Sequence, residues 1–298
     1  VFMPEKKAIG QSTKSIWSGE QEFELYERST QVPVVHSVSF GYKDIDTWHK
    51  AALGVVEGHI YSRNTNPTVR AFEDKVKELE NAEAATSFSS GMAAISNTLG
   101  TFLKSGDRVV SIKDSYGGTN VIFNEFLPPL NIDVCLCETH DHDQIISEIS
   151  KGCQVLYLET PTNPTIKITD IKKLSAAAKE VGAIVVVDNT FATPINQNPL
   201  ALGADIVLHS ASKYLGGHAD ALGGVICGSK KLVQKVYHYR EINGATLAPM
   251  DAYSLLRGMK TLKLRVERQN ESAMIIAKHL QKHPMVEHVN YPGLETHP

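Results

Sequence analysis

The apolar residues of this chain gather in short runs separated by longer stretches with helical spacing. Arg108-Val-Val-Ser-Ile112, Ile132-Asp-Val-Cys-Leu-Cys137, Val155-Leu-Tyr-Leu158, Ala183-Ile-Val-Val-Val187 and Ile206-Val-Leu208 are short for helices and mostly too apolar for strands wetted on one face. They predict strands covered on both sides. Ala84-Ala-Thr-Ser-Phe88 adds a strand before them, and Gly223-Gly-Val-Ile-Cys227 adds one that ends the sheet. Between the strands, Ser89-Ser-Gly-Met-Ala-Ala94 opens a helix to about Leu103, and Asp114-Ser-Tyr-Gly-Gly-Thr119 leads into another ending near Pro128. Asp143 to Ile149 reads as a short helix, and Asp170 to Val181 as an amphipathic one with Ile171, Leu174, Ala178 and Val181 inward. Strands alternating with helices imply βαβ crossovers, hence an α/β fold with a mostly parallel, twisted sheet and helices on both faces.

The flanks differ. Residues 1–65 carry Gly10, Gly19, Pro33, Gly41, Gly54 and Gly58 among short polar and aromatic pieces with no sustained period, and are expected to form an arm lying on other protein. The arm ends in Ile60-Tyr-Ser-Arg-Asn-Thr-Asn-Pro-Thr68, where Pro67 suits the first position of a helix capped by Asn66, with Val69, Phe72, Val76 and Leu79 on one face. After the sheet, Lys230 to Tyr239 reads as a helix leading to Asn243-Gly244, followed by helical stretches at about 251–265 and 270–282. This predicts an arm (1–65), an α/β domain (66–250) and the start of an incomplete C-terminal domain (251–298).

Composition narrows the classes. With 298 residues, 42% hydrophobic and 21% charged, the chain has ordinary globular values and room for one large domain and part of a second. A net charge of −3, from 30 basic and 33 acidic residues, gives no general attraction to nucleic acid or an anionic membrane. No apolar run approaches the roughly 20 residues of a membrane helix, and the first residues hold no signal-peptide core, so a soluble, cytoplasmic protein is expected. Four cysteines are too few for a disulfide framework. Cys135-x-Cys137-x-x-His140-x-His142 packs four zinc-ligand types into eight positions, but structural zinc sites separate their ligand pairs further, and no metal is expected. Neither a Walker P-loop nor a G-x-G-x-x-G after the first strand is present, which counts against a nicotinamide-binding Rossmann protein.

Two strand ends carry the chemistry. One apolar run ends on Asp188-Asn189-Thr190, and the next leads into His209-Ser210-Ala211-Ser212-Lys213. In an open parallel sheet, ligands sit outside the carboxyl ends of the strands, so Asp188 and Lys213 can face one molecule. Pyridoxal phosphate needs both groups: a lysine amine for a Schiff base and a carboxylate at its pyridine nitrogen, with Ser210 and Ser212 offering hydroxyls to its phosphate. Singly, Lys213 reads equally as a loop lysine and Asp188 as a cap; jointly they do not. Gly91 and Met92 begin a helix whose free N–H groups suit a phosphate, although Gly91 also suits close helix–strand packing. Tyr116, in a loop after a strand, can stack on a planar ring, and Asn163 can donate to a phenolic oxygen, though Asn-Pro is also turn chemistry. Tyr61 and Arg63 lie in the arm, where an arginine suits a phosphate.

With those stretches in place, the sequence resembles the Cys/Met-metabolism family of pyridoxal-phosphate enzymes, closest to its cystathionine γ-synthase and γ-lyase branch. The matching motifs are Tyr-Ser-Arg-x-x-Asn-Pro-Thr (61–68), Ser-Gly-Met-Ala-Ala (90–94), Tyr-Gly-Gly-Thr (116–119), Glu-Thr-Pro-Thr-Asn-Pro (159–164), Asp-Asn-Thr-Phe (188–191) and Ser-Ala-Ser-Lys-Tyr-x-x-Gly-His (210–218). The resemblance covers about residues 36–298. It implies a type I, aspartate-aminotransferase-like large domain with an N-terminal arm and a truncated C-terminal domain, acting on small amino-acid substrates. Lys213 would form the Schiff base and move protons, Asp188 would keep the ring nitrogen protonated, Tyr116 would stack, and Asn163 would bond the ring hydroxyl oxygen. The phosphate would be held by N–H groups of Gly91 and Met92, by Ser210 and Ser212, and by Tyr61 and Arg63 of a neighbouring copy. That last contact implies at least a homodimer, and the family suggests a dimer of dimers.

Departures from the family pattern shape the expected substrate. Ser212 replaces a common threonine and keeps the hydroxyl. Gly118 stands where methionine γ-lyases commonly have cysteine, while Ile60, Asn64 and Val121 replace charged residues that read the distal end of cystathionine in some relatives. The arginine that grips the substrate carboxylate in relatives belongs to a region beyond Pro298, so no residue here is expected in that role. The leading expectation is cystathionine γ-synthase, with cystathionine γ-lyase, methionine γ-lyase and O-acylhomoserine sulfhydrylase as alternatives. A non-catalytic cofactor-binding subunit is the competitor of another class.

Overall fold

Asn66 caps its helix as its place before Pro67 suggests. Its side-chain oxygen accepts from the N–H groups of Thr68 (3.0 Å) and Val69 (3.4 Å), and Val69, Phe72, Val76 and Leu79 are buried along one face. The computed structural model describes residues 10–19 and 29–297, so 1–9 and 20–28 of the expected arm lie outside the described residues. Helices α1 (Gln11–Trp17), α2 (Ile45–Ala52) and α3 (Pro67–Glu80) precede strand β1 (Ala84–Phe88). Then come α4 (Gly91–Phe102), β2 (Arg108–Ile112), α5 (Gly117–Val121), β3 (Asp133–Cys137), α6 (His142–Ser150), β4 (Val155–Glu159), α7 (Ile171–Glu180), β5 (Ile184–Asp188), α8 (Thr193–Asn196), β6 (Ile206–Ser210) and β7 (Gly224–Gly228). Three helices follow: α9 (Lys230–Asn243), α10 (Pro249–Met259) and α11 (Leu262–Leu280).

The strands form one sheet in the order β1-β7-β6-β5-β4-β2-β3. All neighbours are parallel except β7, which runs antiparallel to both β1 and β6. The last strand in sequence was expected to end the sheet, but it lies inside it. No helix forms between β6 and β7, so the chain has no crossover element and must return antiparallel.

Side chains alternate between two covered faces. On one, Val155, Tyr157, Val186, Ile206, Leu208 and Ile226 pack with Ile95 and Leu99 of α4 and Val236 of α9. On the other, Val110, Leu156, Leu158, Val185 and Val187 meet α6 and α7, while Val225 and Cys227 meet α3 and α10. Burial on both sides explains the unbroken apolar runs. Ile171, Leu174 and Ala178 are buried as expected, and Asp170 caps α7 through Lys173 N at 2.9 Å.

Other boundaries shift. The helix expected up to Pro128 is α5 continued as a π turn over Ile122–Phe126. Helix α9 runs on to Asn243, where Gly244 takes the left-handed backbone (φ 79°). The break expected near residues 266–269 falls instead at Lys260-Thr261. Part of the arm lies on its own chain: in α1, Gln11 Nε2 donates to Leu79 O (3.1 Å) and Lys14 Nζ to Glu78 O (2.8 Å). Among the described residues no helix is long and apolar enough to cross a membrane, and no group of His, Cys, Asp or Glu is arranged to hold a metal ion.

Candidate active site

Three strands end on the α4 side of the sheet with polar residues. Glu159 closes β4 and Asp188 closes β5, and the two are register partners. Both are buried. Ser210 closes β6, where its N–H donates to Thr190 Oγ1 (2.8 Å) and ties β6 to the residues after Asp188. The amino end of α4 faces them. Ser90 caps that helix through Ala93 N (3.1 Å), and Gly91 and Met92, its first residues, have no intrahelical acceptor for their N–H groups. A Cβ on Gly91 would lie 2.6 Å from Ser210 Cβ, so only glycine lets the helix end come this close to β6.

These residues enclose a cavity of about 630 Å³. Gly91, Met92, Tyr116, Asn163, Asp188, Ser210, Ser212 and Lys213 all line it. Tyr61 and Arg63 do not. They sit in the arm, with the Arg63 guanidinium 5.6 Å from the Tyr61 ring and donating to Glu241 O (3.4 Å). Buried Arg240 of α9 fastens this stretch by donating to Asn64 O (2.7 Å).

The acids set the cavity's electrostatics. Asp188 accepts from Thr190 N (3.0 Å) and from the buried Tyr157 hydroxyl (3.3 Å). Burial raises its pKa above the ordinary carboxyl value, against those hydrogen bonds. Glu159 accepts from Tyr116 N (2.7 Å) and Asn163 N (3.0 Å), and burial followed by the charge of Asp188 pushes it up to about 8. Two adjoining buried carboxyls that resist ionising favour a cation placed against them. Lys213 is exposed to the cavity, and among the described residues its Nζ has no hydrogen bond or ion pair.

Behind this wall lies a second layer. Glu80, the last residue of α3, is fully buried and accepts from His209 Nε2 (2.6 Å), Asn189 Nδ2 (2.8 Å) and Asn198 Nδ2 (3.3 Å). A carboxylate at a helix carboxyl end opposes the helix dipole, so helix stability does not explain it. Its bonds explain it: they join the residue after Asp188 to the residue before Ser210. Glu159, Glu80 and Arg265, which also lines the cavity, carry no site role in the sequence reading. For Glu159 a signal existed, since Val155-Leu-Tyr-Leu158 ends on an acid just as Ala183-Ile-Val-Val-Val187 does.

A pyridine ring with an aldehyde and a phosphate fits this set. The free amine, the acid pair that favours a cation, and a helix end cleared of side-chain bulk at Gly91 each answer one part of it. An α/β sheet presenting those groups at its strand ends defines a type I pyridoxal-phosphate enzyme. The chain belongs to the Cys/Met metabolism PLP-dependent enzyme family, whose model matches residues 12–298. It is 41% identical over 297 residues to an L-methionine gamma-lyase of Fusobacterium nucleatum subsp. polymorphum, covering 99% of this chain and 75% of that protein. It is 41% identical over 271 residues to cystathionine gamma-synthase 1, chloroplastic, of Arabidopsis thaliana, covering 89% of this chain and 47% of that protein. The crystal structure of metB from Corynebacterium glutamicum superposes with a TM-score of 0.92 at 36% identity, covering 100% of this chain and 75% of that one. The chain is thus a pyridoxal-phosphate enzyme of sulfur amino acid metabolism, within a family that performs γ-elimination and γ-replacement.

Proposed function

We propose that the chain acts on an amino acid carrying a leaving group at Cγ, with cystathionine γ-synthesis from a homoserine ester and cysteine as its leading reaction and cystathionine γ-elimination as the alternative. The observation that carries the reading is the unpartnered Lys213 amine in one cavity with the strand-end acids Asp188 and Glu159. Pyridoxal phosphate, when bound, withdraws electrons from the substrate's Cα.

This chain's residues supply the rest. Lys213 Nζ would hold the cofactor and, with the substrate amine bound, would be the base for the Cα proton and, once it has released that proton, for a Cβ proton. Asp188 would keep a proton on the ring nitrogen, where a cation would also relieve its buried charge. Glu159 orients the loops of Tyr116 and Asn163 through two backbone N–H groups, so that Tyr116 would stack on the ring and Asn163 would donate to its hydroxyl oxygen. Gly91 and Met92 N–H groups and the Ser210 and Ser212 hydroxyls bind phosphate. Ser212 has its hydroxyl fixed by Gly223 N at 2.9 Å. Tyr61 and Arg63 would hold the phosphate of a second copy, which would make the working unit a homodimer or a dimer of dimers.

Position 118 supports a reading other than methionine γ-lyase. A Cβ there would lie 2.7 Å from Met92 Sδ and 3.0 Å from Tyr116 Cε1, so a cysteine would have to move the end of the Met92 side chain that packs in this space. The test offers the loaded protein cysteine with O-succinyl- or O-acetylhomoserine, then cystathionine, then methionine, and identifies products in parallel. Cystathionine from a homoserine ester is the expected main product. A protein that consumed neither a homoserine ester nor cystathionine would sink both readings together.

A further inference from the structure

The turn that carries Lys213 has no regular structure to support it. Gly216 N donates to Ala211 O (2.8 Å) and Gly217 N to Lys213 O (2.7 Å), which makes a single helix-like turn. Gly217 then takes the left-handed backbone (φ 77°), and the chain leaves. A turn that stops so soon strands its last carbonyls, here those of Tyr214 and Leu215.

Arg265, in the first turn of α11, reaches those carbonyls. Its Nη1 donates to Tyr214 O (2.9 Å), and its Nη2 donates to Leu215 O (3.4 Å) and to Gly258 O (3.0 Å). Its Nε donates to Thr261 Oγ1 (3.1 Å). Every acceptor is neutral, and among the described residues no carboxylate pairs with it. Burial lowers the guanidinium's pKa, a cost that no counter-ion offsets. The neighbouring backbone is shaped around it: a Cβ on Gly217 would lie 2.2 Å from Arg265 Nη1, and one on Gly258 2.0 Å from Gly216 O.

We propose that Arg265 is a positioning residue that caps the Lys213 turn and fixes where the Lys213 amine enters the cavity. The claim that this matters for cofactor attachment rests on the Lys213 reading above, but the cap itself does not. Arg265 acts through the backbone and is not a catalytic residue.

The test compares the full chain with Arg265→Lys, Arg265→Met and Gly217→Ala, each with and without pyridoxal phosphate. Backbone hydrogen exchange is read at Gly216 and Gly217, with β5 as the internal control. Covalent attachment is read by borohydride reduction and mass of the Lys213 peptide. In Arg265→Met the two amides should exchange at least about tenfold faster while β5 is unchanged, and cofactor affinity should weaken by about tenfold. Arg265→Lys should fall between, and added guanidinium should restore part of the protection in Arg265→Met. Gly217→Ala, which displaces the guanidinium and strains the left-handed backbone together, should loosen the same amides, and Arg265→Lys decides the matter if Arg265→Met does not fold. Unchanged exchange at Gly216 and Gly217, or equal loosening of β5, overturns the proposal. If the turn loosens as stated but borohydride marks no Lys213 in the parent chain, the cap stands and the Lys213 reading falls.

Discussion

The wall of strand ends and the arm at residues 60–66 are held in opposite ways. In the wall, Asp188 and Glu159 sit in register on adjoining strands and Ser210 closes the next one, bonded to Thr190, Tyr157 and the loops of Tyr116 and Asn163, with Glu80 tying the layer behind. In the arm, Arg240 and Asn66 grip the backbone, while the side chains of Tyr61 and Arg63 are exposed. Tyr61 is 42% exposed, and nearby Ile45, Leu53 and Val55 are 72%, 65% and 69% exposed. The wall is finished within one chain. Eight of the ten expected site residues line one cavity, and Tyr61 and Arg63, exposed on the arm, do not.

The comparison breaks most readily at Lys213. Lys213→Ala should abolish the borohydride-stable link and lower turnover by at least about 10³-fold, because in the proposed reading one amine serves as anchor and base. Steady-state turnover with a homoserine ester measures it. Retention of a tenth of the parental rate would mean that the wall lacks its central group.

Next in size is Glu80. Glu80→Ala leaves His209, Asn189 and Asn198 without their shared acceptor in a buried site, at a cost of about 3–5 kcal/mol of folding stability. Glu80→Gln, which keeps an acceptor oxygen, should cost clearly less. Urea unfolding of the two variants reads the difference. Equal losses would show that the carboxylate charge, which both variants remove, supports the wall, and not the acceptor oxygen that glutamine keeps.

The wall also predicts a pH dependence. Glu159 holds its proton more tightly folded, at about 8, than at its ordinary value of 4.5. A raised acid contributes stability that is complete below 4.5 and is lost as pH rises through about 8, since the folded chain binds more protons across that window. The cofactor-free chain should lose on the order of 2 kcal/mol between those limits, since the charge of Asp188 beside it titrates with it. Glu159→Gln should flatten the profile. Unfolding midpoints at several pH values across the window would refute the acid pair if the variant kept the parental slope.

These residues also mark where sequence reading stops. Strand runs, the Asn66 and Asp170 caps and the Gly91 helix start are local, so periodicity and capping chemistry expose them. Glu80 meets His209 from 129 residues away and Asn189 from 109, and Arg265 meets Tyr214 from 51. No local pattern encodes such a meeting. The place of β7 between β1 and β6 escaped for a related reason: a strand's neighbours depend on its connection, and only the missing crossover helix reveals an antiparallel return.

The smallest effect concerns the arm. Arg63 is exposed, and apart from its stacking on Tyr61 and a long bond to Glu241 O it has little to lose within its own chain, so Arg63→Ala should leave folding stability within about 0.5 kcal/mol of the parent. If it serves the phosphate of a second copy, the same change should weaken cofactor binding by about tenfold, the worth of one charge-assisted contact. Pooling inactive chains separates this from a role within one chain. Subunits bearing Lys213→Ala lack the amine but keep an intact arm, and subunits bearing Arg63→Ala keep the amine but lack the arginine. When they pair, one of the two shared cavities regains both groups, so mixed dimers should bind cofactor at one cavity per pair with parental affinity. Each pure variant should not. Titration of the mixture by cofactor absorbance reads that stoichiometry, and a mixture behaving as the average of its parents would place the arm's function within its own chain.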